Sequence, residues 1–87
     1  VLIVDDEAFY RTQLSRMVEG FGYQWVAVAS GEEALDILDR SFDVVLLDVL
    51  MPGLGGYETL KAIRSLPETR DVPVVMVSSL DDANSEL

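Results

Sequence analysis

Eighty-seven residues, 49% of them hydrophobic, allow one compact domain with a modest core, and no stretch approaches the roughly 20 apolar residues of a membrane span. With no cysteine and no histidine among them, these residues exclude disulfides, thiolate chemistry and imidazole catalysis. Sixteen acidic side chains against six basic ones give a net charge of −10, which repels nucleic acid and anionic membranes and suits cations or a basic patch on a protein partner.

The chain opens on VLIV (1–4), an apolar run of the kind that parallel strands buried on both faces carry. The period then changes. Tyr10, Leu14, Met17, Val18 and Phe21 fall on one helical stripe that Gly20 and Gly22 bring to an end. A weaker strand follows at YQWVAV (23–28), and Ser30-Gly31-Glu32-Glu33 reads as a capping box opening a second helix. That helix turns Ala34, Leu35 and Leu38 inward. VVLL (44–47) is the third strand, and Tyr57, Leu60, Ile63 and Leu66 mark a third helix that Pro67 helps to close. VPVVMV (72–77) is the fourth strand. Beyond it, LDDANSEL (80–87) has the composition of a loop leading into a further helix. Met17 and Met76 belong to apolar patterns and read as core. No basic leader with a small-residue cleavage site is visible, and the lack of cysteine fits a reducing, cytoplasmic setting.

Strand and helix alternate throughout, which predicts an open α/β parallel sheet with helices on both faces. In such a sheet the residues just after each strand gather on one rim, where ligands bind. Here the rim carries Asp5, Asp6 and Glu7 after the first strand, Asp48 after the third, and Ser78 and Ser79 after the fourth. Crowded carboxylates repel unless a cation joins them. An oxygen-only set without histidine or cysteine favours a hard ion, magnesium first, which leaves room for a phosphate oxygen. Asp48 is then a candidate nucleophile for a phosphoryl group, with Ser78 a hydrogen-bond donor to it. Taken singly, each residue has a plainer role. Asp6 and Glu7 suit a helix start, and Asp48 suits a turn ahead of Pro52 and Gly53.

VLIVDDE, VVLLDVLMPGLGGYE and PVVMVSS, in this order and spacing, resemble the receiver domain of two-component response regulators. The D-x-x-M-P-x-x-x-G stretch is the most specific of them. The resemblance covers the whole of residues 1–87 and implies a flavodoxin-like sheet of order 2-1-3-4-5, here 2-1-3-4 with the fifth strand and last helix missing. It implies that Asp48 accepts a phosphoryl group from a sensor histidine kinase or phosphotransfer protein. By the same match Asp5, Asp6 and Asp48, with the backbone carbonyl of Leu50, hold Mg2+. Ser78 matches the hydroxyl that turns towards the phosphoryl group, and Ser79 its small neighbour.

Three departures stand out. The family's lysine falls after the fifth strand, so residues 1–87 contain no counterpart. The expectation is a protein that continues into an output domain, and a fragment that self-associates through an exposed fourth-strand edge. Gly55 stands where aspartate is common. Leu50 and Leu80 flank the acceptor and cannot orient a hydrolytic water by hydrogen bonding, which implies a long-lived phosphoryl group. The domain is expected to be a switch rather than a turnover enzyme. A pseudo-receiver that docks partners without phosphorylation stays open, and a lysine following an apolar strand would decide against it. A phosphatase of the haloacid dehalogenase type needs a second acid two residues after its nucleophile, where this chain has Leu50. A flavodoxin needs a phosphate loop after the first strand, which is absent.

Overall fold

Three strand residues, Leu2, Ile3 and Val4, are shielded from solvent on both sides and form β1 (Leu2–Val4), the strand around which the rest is arranged. A computed structural model describes residues 1–51 and 53–77. In chain order they form β1, α1 (Ala8–Gly20), β2 (Val26–Val28), α2 (Gly31–Ile37), β3 (Val45–Asp48), α3 (Gly56–Ser65) and β4 (Val74–Val77). All strands run parallel in the order β2-β1-β3-β4, as the resemblance implies.

Alternation along the strands sorts the core into two layers. Leu2, Val4, Val45 and Leu47 cluster with Ala34 of α2, Leu38 at its C-cap and Ile63 of α3. Ile3 points the other way, to the side where α1 packs on β1 and β2. Helices therefore cover both faces. β1, β2 and β4 are shorter than the apolar runs while β3 is shifted one residue on to Asp48, and β4 is not buried on both faces: Val75 is half exposed, because β4 has a neighbour on one side only among the described strands.

The helix ends follow local chemistry. Ser30 Oγ accepts a hydrogen bond from the Glu33 amide at 3.1 Å, so the N-cap half of the expected capping box forms, while the Glu33 carboxylate accepts from the Ser30 hydroxyl rather than from its amide. At the end of α1 the Tyr23 amide donates to the Val18 carbonyl and the Gly22 amide to the Glu19 carbonyl, with Gly22 at φ +86°. This pair of bonds needs a left-handed residue, which glycine supplies without strain.

The helix faces depart from the expected stripes. Met17 is half exposed and Phe21 is 73% exposed, so neither belongs to the core. Only β1 and β2 lie beneath α1 among the described elements, and β2 is a three-residue edge strand; that area accommodates Ser15 and Val18 rather than a wide stripe. On α3, Tyr57 is 66% exposed and Leu66 at its C-cap is 44% exposed, whereas Gly56, Thr59 and Ile63 are buried. Ile63 and Leu60 of the expected stripe do pack on the core, and the contact face extends from them to Gly56 and Thr59 instead of Tyr57 and Leu66. A Cβ added at Gly56 would fall on the Asp48 carbonyl oxygen and lie 2.8 Å from Val49 Cα. Gly56→Ala is therefore expected to destabilise the fold by about 1–3 kcal/mol, the usual cost of overpacking, read as a lower denaturation midpoint in urea.

Two side chains secure the return from α3 to β4. Arg64 Nη1 donates to the carbonyls of Arg70 and Val72, each at 2.7 Å, and the buried Thr69 hydroxyl donates to the Ile63 carbonyl at 2.7 Å. Among the described residues no helix is long and apolar enough to cross a membrane. The further helix expected over 80–87 lies outside the described residues.

Candidate functional site

The sheet register builds the site. Val4 pairs with Leu47, so the residues one step further along, Asp5 and Asp48, emerge side by side at the same end of the sheet. Asp5, Asp6 and Asp48 each present a carboxylate oxygen within 4.8 Å of the other two. Residues separated by more than forty positions in the chain thus share one small volume.

Asp5 and Asp48 are both buried, at 4% and 5% exposure, while Asp6 is partly exposed. Burial pushes the Asp48 carboxyl up to about 6, and the negative charges of Asp5 and then Asp6 push in the same direction. The backbone amides of Leu50 and Val49 oppose the shift by favouring the ionised form. Burial likewise raises Asp5. The Glu7 amide, which donates to Asp5 Oδ1 at 2.9 Å, pulls it back, Asp6 and Glu7 add repulsion, and Arg11 offsets part of that repulsion. The other buried polar groups are satisfied within the chain. Ser15 donates to the Arg11 carbonyl at 2.6 Å, Thr59 to the Gly55 carbonyl at 2.8 Å, and Thr69 as described. The two buried carboxylates also accept backbone hydrogen bonds, but these leave their pKa values raised by burial and by the repulsion of neighbouring acids.

Such a set suits a small hard cation. Its donors are all carboxylate oxygens, and the repulsion that raises Asp48 is what a divalent ion would relieve. The helix-start reading of Asp6 and Glu7 is only partly met. Glu7 is the N-cap of α1 but makes no side-chain cap hydrogen bond, and the Asp5 carboxylate accepts from the Glu7 amide instead.

Leu50 lies two residues past Asp48, its side chain 58% exposed on the loop between β3 and α3. Gly53, in the same loop, takes φ +71°, a conformation that favours glycine. Gly55 is the N-cap of α3. Ser78, Ser79 and Leu80 lie outside the described residues.

One residue near the site was not among those singled out from the sequence. Arg11 Nη1 donates to the Asp5 carbonyl at 2.7 Å, from one turn into α1. Its signal in the sequence was its spacing: a basic residue six positions after the first acid, in a chain with few basic residues, reaches back along the helix towards the strand end.

Comparison with known proteins agrees with this geometry. The sequence model described as "Response regulator receiver domain" matches residues 1–86. The chain is 40% identical over 79 residues to the transcriptional regulatory protein CpxR of Escherichia coli K12, covering 91% of this chain and 33% of that protein. It therefore spans about a third of the length of this curated relative. The crystal structure of the N-terminal domain of a response regulator receiver protein from Methanoculleus marisnigri JR1 superposes with a TM-score of 0.83 at 38% identity, covering 97% of this chain and 72% of that one. The receiver domain of the sensor histidine kinase PA1611 from Pseudomonas aeruginosa PAO1, with a magnesium ion coordinated in its active site cleft, superposes with a TM-score of 0.81 at 32% identity. That match covers 86% of this chain and 62% of the other. A family match along nearly the whole sequence, together with this strand order, establishes that the chain belongs to the response regulator receiver domains of two-component systems.

Proposed function

We propose that the domain is a phosphorylation switch in which the Asp48 carboxylate accepts a phosphoryl group from the phosphohistidine of a sensor histidine kinase or a phosphotransfer protein. The observation that carries this reading is the meeting of three carboxylates from two strand ends, with the acidic side chains of Asp5 and Asp6 the charges that raise Asp48 among the described residues. Magnesium, held by Asp5, Asp6, Asp48 and the backbone carbonyl of Leu50, would neutralise these acids and the charge developing on the phosphoryl oxygens. The magnesium-bound receiver from Pseudomonas aeruginosa supports that choice of ion.

One oxygen of Asp48 attacks phosphorus in line. The new O–P bond forms as the P–N bond breaks, and the imidazole nitrogen keeps the departing electron pair. Burial removes competing water from the attacking oxygen, and the amides of Val49 and Leu50 favour its ionised form. By the resemblance of PVVMVSS, Ser78 is the proposed hydroxyl for the transferred group and Ser79 its small neighbour. The domain is substrate and switch, without turnover. We place it in the cytoplasm, as the input part of a longer protein whose output domain responds to the phosphoryl group. The transcriptional regulator that it resembles over a third of that protein's length supports this arrangement.

Incubation with acetyl phosphate and magnesium, followed by intact-mass measurement, tests the reading. The expected result is a gain of one phosphoryl group that Asp48→Asn abolishes. No gain, with a phosphorylated histidine donor supplied as well, would leave a docking module only.

A further inference from the structure

Asp5 is tied at three points. Its amide donates to the Val28 carbonyl at 3.2 Å, and its Oδ1 accepts from the Glu7 amide at 2.9 Å. Its carbonyl oxygen accepts from Arg11 Nη1 at 2.7 Å. This carbonyl belongs to the peptide plane between Asp5 and Asp6, and a peptide plane moves as one rigid unit. The bond from Arg11 therefore sets the direction in which Asp6 leaves the strand. No hydrogen bond to the Asp6 carboxylate is found among the described residues, so the backbone that carries Asp6 determines where that carboxylate sits.

Arg11 is itself held. Its amide donates to the Glu7 carbonyl at 3.0 Å, and its carbonyl accepts from the Ser15 hydroxyl at 2.6 Å. A guanidinium on a half-buried side chain that is anchored in a helix is a stiff support for a turn at the helix entrance.

We propose that Arg11 is a positioning residue for the acidic pair, holding the peptide plane between Asp5 and Asp6 so that both carboxylates meet Asp48. The proposal rests on the cation-binding reading of this site. It makes a prediction opposite in sign to that of simple charge. A fixed positive group beside a cation site opposes the cation, so removing it by charge alone would tighten binding. Removing a positioning contact weakens binding, as loss of the groups that orient metal ligands does.

The test is calorimetric titration of the metal-free protein with Mg2+ at fixed pH and ionic strength, comparing the native chain with Arg11→Met. Hydrogen exchange at the Glu7 amide is followed without metal. The expected result is about tenfold weaker Mg2+ binding in Arg11→Met, with faster exchange at Glu7 and a cooperative unfolding transition retained. Equal or tighter Mg2+ binding by the folded variant, with unchanged exchange at Glu7, overturns the proposal. If Arg11→Met does not fold, Arg11→Lys carries the test. It keeps the charge but loses the forked, longer reach, and is expected to bind about threefold more weakly; native affinity overturns the proposal. Failure of the native protein to bind Mg2+ removes the underlying site reading, and exchange at Glu7 then still shows whether Arg11 holds the turn.

Discussion

Replacing Asp48 by asparagine is expected to raise the unfolding midpoint of the metal-free protein at neutral pH by about 5–10 °C. The carboxyl is pushed up to about 6 from an ordinary value of 3.8, by burial first and by Asp5 and Asp6 after it. A raised folded-state value means that the native protein holds a proton that the unfolded chain releases. Stability from this group is therefore intact below about 3.8 and is lost as pH rises through about 6. Each unit corresponds to about 1.4 kcal/mol. Solvent screening at the rim reduces the total to about 1–2 kcal/mol, which a domain of this size converts to the stated midpoint shift. Asparagine keeps the shape and removes the charge. Thermal melts in chelator at pH 5 and pH 7.5 check the prediction: the variant's advantage should appear at the higher pH and shrink at the lower. An equal advantage at both would mean that Asp48 is not strained by its charge. General repulsion among the acidic side chains acts on both proteins and cancels in the comparison.

Adding magnesium to the native protein is expected to reverse that strain. A ligand that binds only the folded state stabilises it by about 2.7 kcal/mol at a hundred times its Kd, a gain of about 10 °C or more for this size. Asp5→Asn combined with Asp6→Asn removes two of the three converging carboxylates and should abolish the shift, and excess chelator should reverse it in the native protein. Sodium at matched ionic strength should give much less, because screening alone does not bridge the three groups. A magnesium shift that survives in the double variant would place the ion elsewhere on the acidic surface.

The sequence by itself determined the alternation of strands and helices, the capping box at Ser30 and the family to which the chain belongs. These depend on local periodicity, on short-range hydrogen bonding and on a motif whose spacing is specific. It also identified the acids at the strand ends, because parallel strands of similar length must end on a common rim. What it misplaced were faces. A run such as Tyr57, Leu60, Ile63 and Leu66 states a period but not a depth: Leu60 and Ile63 do reach the core, but the buried face of α3 continues to Gly56 and Thr59 rather than to Tyr57 and Leu66. How closely α3 may approach β3 depends on atoms of both elements, so only the assembled fold could decide it. The same holds for the site. The strand register, not the spacing in the chain, sets Asp5 beside Asp48, and a helix docked over β1 brings Arg11 back to the Asp5 carbonyl. Tertiary packing, by withdrawing water from two of those acids, is also what raises them towards neutrality, since an isolated aspartate in a solvated segment has no reason to shift.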